Sequence, residues 1–77
     1  MSDLGNDSTR IKKVVVQSYN LKELARIYNV SKYIMRKLMK PYKLRIGNPN
    51  GYDYDVDQVA LIFELIHLPS NIRIVKV

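Results

Sequence analysis

Between residues 20 and 40 the apolar positions repeat with a helical period, twice, separated by one short break. Leu21, Leu24, Ala25 and Tyr28 recur at i, i+3, i+4 and i+7, the spacing of one helix face. Asn20 precedes them as a good N-cap, and Glu23 three residues later completes a capping-box pattern, so a first helix is predicted to start at Asn20. Asn29-Val30 interrupts the period, and Ser31 is a second N-cap. A second helix is expected from Lys32 to Lys40, ending before Pro41 because the residue before a proline disfavours the helical region. Ile34, Met35, Leu38 and Met39 form its apolar side. Lys32, Tyr33, Arg36, Lys37 and Lys40 form a continuous basic side with one aromatic among them.

Beyond Pro41 the period shortens. Leu44-Arg45-Ile46 reads as a short strand, Gly47-Asn48-Pro49-Asn50-Gly51 as a turn, and Tyr52-Asp53-Tyr54 as the return strand, giving a hairpin wing over residues 42–54. Asp55 then caps a third helix over 55–68, with Gln58 completing another capping box. Val56, Val59, Ala60, Phe63 and Ile66 give its core stripe, and Leu61, Leu65 and Leu68 a second apolar stripe on nearly the opposite face. Residues 11–16 and the tail 70–77 are rich in β-branched side chains and suit a short strand pair. Residues 1–10 are polar and turn-rich, a flexible lead. The expected class is mainly α with a small β-hairpin wing, one domain over 11–77.

Composition narrows the function. The chain has 77 residues, no cysteine and one histidine, which removes disulfides and thiolate chemistry and leaves few casts for nucleophilic catalysis. No catalytic constellation is present, so an enzyme is not expected, nor is a cofactor. No apolar run approaches the roughly 18 residues of a membrane span, and a soluble cytoplasmic protein is the expectation. The 13 Lys+Arg and 7 Asp+Glu give a net charge of +6, but the charge is unevenly placed. Residues 10–48 carry eleven cations and one acid, Glu23, while residues 49–68 carry four acids and no cation. A basic block of this kind points to an acidic partner, most commonly nucleic acid.

Two short helices joined across Asn29-Val30-Ser31 have helix-turn-helix spacing. Ala25 is small where the second helix must cross the first, and Val30 can plug the turn. The stretch from Leu24-Ala25 through Asn29-Val30-Ser31 to Arg36-Lys37-Leu38 resembles the helix-turn-helix of MerR-like and excisionase-like regulators. Tyr54-Asp55-Val56-Asp57-Gln58-Val59 resembles the opening of the helix that follows the wing in those families. Asn29 stands where they usually have glycine, and Asn tolerates the left-handed conformation. Ile34 stands where they often have threonine. The resemblance covers about residues 20–68 and implies a three-helix winged helix-turn-helix that binds double-stranded DNA sequence-specifically. The implied role is a transcription regulator or an excisionase-like architectural factor.

On that basis Ser31, Lys32, Tyr33 and Arg36 are the expected groove-facing residues, since the N-terminal half of a recognition helix reaches base edges. Arg36 suits either a bidentate pair with guanine or a phosphate. Lys37, Lys40 and Lys43 are expected on the phosphate backbone, with Lys22 and Arg26 joining from the first helix. Arg45, Asn48 and Asn50 on the wing are candidates for a minor-groove or phosphate contact. Asp53, Asp55, Asp57 and Glu64 match positions of a calcium loop, but Gln58 stands where that loop requires glycine, and helix capping explains the acids better. His67 is a lone histidine with no ligand partner, so no metal site is expected. The Leu61, Leu65 and Leu68 stripe has two readings: cover by the arm and tail of the same chain, or the interface of a homodimer or cooperative oligomer. The alternative function, a protein-interaction adaptor, would use that same stripe.

Overall fold

The computed structural model describes residues 11–75; the lead 1–10 and the last two residues of the tail lie outside the described residues. α1 (Leu21–Tyr28) starts at the expected cap: the Glu23 N–H donates to Asn20 Oδ1 (2.8 Å) and the Asn20 N–H to Glu23 Oε1 (3.0 Å). It stops because Asn29 takes a left-handed conformation (φ 58°, ψ 46°). The Val30 N–H then donates to the Ala25 carbonyl (2.9 Å) and the Asn29 N–H to the Arg26 carbonyl (3.1 Å). These paired bonds close a Schellman end and satisfy carbonyls the helix would otherwise leave free. The chain is thereby turned into α2 (Lys32–Met39), whose first turn is capped by Ser31 Oγ accepting from the Ile34 N–H (3.1 Å).

The helix does end one residue short of Pro41's neighbour, but the chain beyond is not extended. Lys40 keeps helical angles (φ −54°, ψ −45°) despite preceding a proline, and Lys40–Tyr42 forms a 3₁₀ turn. Pro41 is tolerated there because the first helical positions have no intrahelical N–H bond to lose. A single-turn helix, α3 (Lys43–Ile46), follows. The strand expected at Leu44-Arg45-Ile46 is therefore absent, and so is the two-stranded hairpin wing. A strand would have put Leu44 and Ile46 on one face; instead Ile46 is buried and Leu44 is 100% exposed. The return strand does form, as β3 (Asp53–Tyr54), but its partner is β2 (Tyr19–Asn20), paired antiparallel with Tyr19 opposite Tyr54. What remains of the wing is a tight turn in which Asn50 and Asp53 exchange backbone bonds (2.9 and 3.3 Å) around Gly51, whose φ of 70° glycine adopts without steric cost.

α4 (Val56–Leu65) opens with the second capping box, Asp55 with Gln58. It is shorter than the 55–68 expected, because Ile66 is already extended (φ −111°, ψ 119°). Its inward stripe is also rotated. Val59, Ile62 and Ile66 are buried, whereas Ala60 is exposed and Val56 is 51% exposed. Leu61, Leu65 and Leu68 are half-buried and pack against the chain's own core.

The core joins Leu24, Ala25 and Tyr28 of α1 to Met35 and Met39 of α2, Ile46 of α3, and Ile62 and Ile66. Leu24, Met35, Val59 and Ile62 are fully enclosed, and each such side chain contributes about 1.5–3 kcal/mol by leaving water. The Tyr28 phenol crosses this core to donate to the Ile66 carbonyl (2.8 Å), with the Ile62 carbonyl as a second, longer acceptor (3.4 Å). Arm and tail pair as expected: β1 (Lys12–Val15) lies beside β4 (Ile72–Val75), parallel, with Lys12 opposite Ile72 and Val15 opposite Val75. About half of the described chain is helical: three helices of eight to ten residues, one single turn, and two small strand pairs. No helix among the described residues is long and apolar enough to cross a membrane.

Candidate nucleic-acid interface

α2 separates its side chains as its sequence requires. Met35 and Met39 lock it to the core, and Lys32, Tyr33, Arg36, Lys37 and Lys40 stand exposed on the outer side. Ile34 and Leu38, expected inside, are about 40% exposed, on the side of α2 turned away from the basic residues. Lys37 Nζ lies 5.3 Å from the centroid of the Tyr33 ring, a cation–π contact that holds both side chains against the helix. α1 and α4 each carry an acid in the first turn, Glu23 and Asp57; α2 carries none and begins with Lys32.

One side of α2 borders a cleft of about 490 Å³. Its far wall is the segment from Lys43 through Ile46 and Gly47 to Asn48, together with Tyr54. Two devices hold that wall in place. The Gln58 side chain donates from Nε2 to the Ile46 carbonyl (2.9 Å) and the Asn48 carbonyl (2.8 Å), tying the loop to the start of α4. Gly47 (φ 83°, ψ −179°) occupies a backbone region open essentially only to glycine, which lets the chain leave α3 abruptly. Tyr54 is set by the β2–β3 pairing and by Ser18 Oγ, which donates to its carbonyl (2.9 Å). Burial pushes the Tyr54 phenol above its usual range, and the Arg36 charge partly offsets this, so the phenol faces the cleft as a neutral donor.

The expected site residues thus divide. Tyr33, Arg36, Lys37, Lys40 and Lys43 share the cleft, and among the described residues no carboxylate lines it. Lys32 and Ser31 stand exposed at the N-terminal end of α2, where the Ser31 oxygen already accepts the capping bond. Arg26 lies apart, in a shallow depression with Lys13, Glu23 and β1. Lys22, Arg45 and Asn50 are exposed but line neither concavity, and Asn48 enters the cleft wall. Leu21, Met39, Ile46, Gly47 and Tyr54 also line the cleft and were not among the expected site residues. Tyr54 lies among acids in sequence, and only the pairing with β2 carries it to Arg36.

No protein-family model matches the chain, and no curated protein or solved structure is significantly similar to it.

Proposed function

We propose that this chain binds double-stranded DNA sequence-specifically as a helix-turn-helix module related to the winged type. In this reading α1 and α2 form the motif, α2 enters the major groove, and the turn at residues 47–53 takes the place of a hairpin wing. One observation carries the reading: α2 presents Lys32, Tyr33, Arg36, Lys37 and Lys40 together on an exposed, acid-free face while Met35 and Met39 fix the helix to the core. An α-helix fits the major groove, and cations along it replace condensed counterions. The Schellman turn at Asn29 supports the motif, since its backbone bonds turn the chain from α1 into α2. Lys32, Tyr33 and Arg36 would read base edges, and Lys37, Lys40 and Lys43 would hold phosphates. Such a module serves as a transcription regulator or as an excisionase-like architectural factor, acting by binding and not by catalysis. The adaptor alternative depends on Leu61, Leu65 and Leu68, which are half-buried against the chain's own core and offer a partner little.

The test is fluorescence anisotropy with duplexes selected from a random pool. With the three phosphate contacts of Lys37, Lys40 and Lys43, affinity should fall roughly 40-fold between about 50 and 200 mM salt. Replacing Lys32, Tyr33 and Arg36 together by alanine should abolish discrimination between selected and scrambled duplexes while the circular dichroism spectrum stays unchanged. Absence of binding at low salt, or a triple variant that binds as tightly as the parent, overturns the proposal.

A further inference from the structure

The cleft beside α2 has chemistry that duplex DNA would leave unused. Arg36, Lys37, Lys40 and Lys43 all line it, and among the described residues no carboxylate joins them. Bringing four cations to one concavity raises their mutual repulsion, and a multiply charged anion relieves it. The floor is different in kind: Leu21, Met39 and Ile46 give it an apolar surface. Two tyrosines, Tyr33 and Tyr54, complete the lining with flat faces and hydroxyl groups. A bare phosphate would satisfy the cations and leave the floor wet. A duplex presents its phosphates on a convex edge and keeps its base faces stacked inside, away from such a floor. The occupant that uses both parts carries several phosphate charges on a flat, largely apolar body, and the cleft's volume lies in the range of small-molecule sites.

We propose that this cleft is a binding site for a free nucleoside di- or triphosphate, and that its occupancy excludes duplex DNA from α2. The base lies on the floor between the two phenols, and the phosphates meet Arg36, Lys37, Lys40 and Lys43. The exclusion rests on the DNA-binding reading, because three of those four cations lie on or beside the proposed recognition helix; the site itself does not rest on it.

The experiment titrates the whole chain with ATP, inorganic tripolyphosphate and adenosine, each in magnesium-free buffer, and follows the tyrosine ring resonances by NMR. ATP should shift the Tyr33 and Tyr54 rings saturably and bind about tenfold or more tighter than tripolyphosphate, the share expected from burying one base face. Lys43→Glu should weaken ATP by about tenfold or more, whereas Lys13→Ala, on the other depression, should leave it unchanged. Equal affinity for ATP and tripolyphosphate overturns the site, as does the lack of a saturable shift at either tyrosine. In a parallel arm, ATP should release a labelled duplex from the protein, and a duplex that stays bound under saturating ATP overturns the exclusion. A duplex that fails to bind at low salt before any ATP is added refutes the DNA reading, and with it the exclusion. The ATP titration, made on the protein alone, still decides the site.

Discussion

Replacing Tyr28 by phenylalanine removes one oxygen from the centre of the fold and keeps the rest of the ring. The ring is 5% exposed and sits 6.2 Å, centroid to centroid, from Phe63, so the hydrophobic contacts survive the change. What is lost is the phenol's bond to the Ile66 carbonyl at 2.8 Å. The Ile62 carbonyl keeps a partner, since it also accepts from the Ile66 N–H at 2.9 Å, but the Ile66 carbonyl loses the donor that ends α4. Leaving a buried acceptor without its donor costs about 1–2 kcal/mol. For a chain of this size that corresponds to a fall in Tm of roughly 5–15 °C. Thermal and urea unfolding followed by circular dichroism measure it directly, with Tyr52→Phe, at a residue 90% exposed, as the control that should not move. If Tyr28→Phe unfolds within about 0.3 kcal/mol of the parent, the phenol is not the cap of α4 and the reasoning fails.

The same phenol governs alkaline stability. Burial raises Tyr28, Tyr19 and Tyr54 above the ordinary phenol range, with the Glu23 charge adding to the rise at Tyr19. Each then stays neutral in the fold while the unfolded chain ionises near about pH 10, so their contribution is intact below that pH and is lost as pH rises above it. The urea midpoint should fall from about pH 10 upward, and less steeply in Tyr28→Phe; equal slopes would show that Tyr28 is not the group responsible. At the cleft wall, Gly47→Ala should cost about 1–3 kcal/mol in urea unfolding through backbone strain alone. A Cβ there would meet only Gln58 Nε2, at an ordinary 3.5 Å, so a neutral substitution would mean the loop does not hold the angles described.

Local chemistry was legible in the sequence where a side chain or a left-handed residue caps a helix within a few residues. Both capping boxes, the Ser31 cap and the left-handed Asn29 are of this kind, and with them the start of all three longer helices and the basic face of α2. The segment after Pro41 was not, because an apolar pair at i and i+2 is as compatible with a helical turn as with a strand. Ile46 is drawn into the core by the helices around it, while Leu44 is left outside. The partner of β3 was not legible either, since Tyr54 finds Tyr19 thirty-five residues earlier in the chain. That pairing also explains the incomplete reading of the site. Five of its residues follow from α2 and the turn after it, but Tyr54 arrives from a distant segment whose neighbours in sequence are acids. On α4, Ile62 displaced Ala60 from the core because the helix rolled toward the larger side chain, a choice that volume makes and periodicity does not.

The acid-free first turn of α2 has a consequence for how the free protein responds to salt. Its amide end is the positive pole of the helix and Lys32 adds a further charge of the same sign there, whereas Arg36 and Lys37 lie in the last turn, where the dipole favours cations. Packing of Met35 and Met39 into the core holds the helix despite this unfavourable first turn and the mutual repulsion of its cations. Dissolved ions that screen this repulsion favour the folded chain, and the same ions weaken any grip on a polyanion. Ionic strength therefore acts with opposite sign on folding and on the proposed binding. A substitution such as Lys32→Glu would steady the fold while disarming the surface, so the most comfortable sequence for this helix is one that could no longer do the work assigned to it.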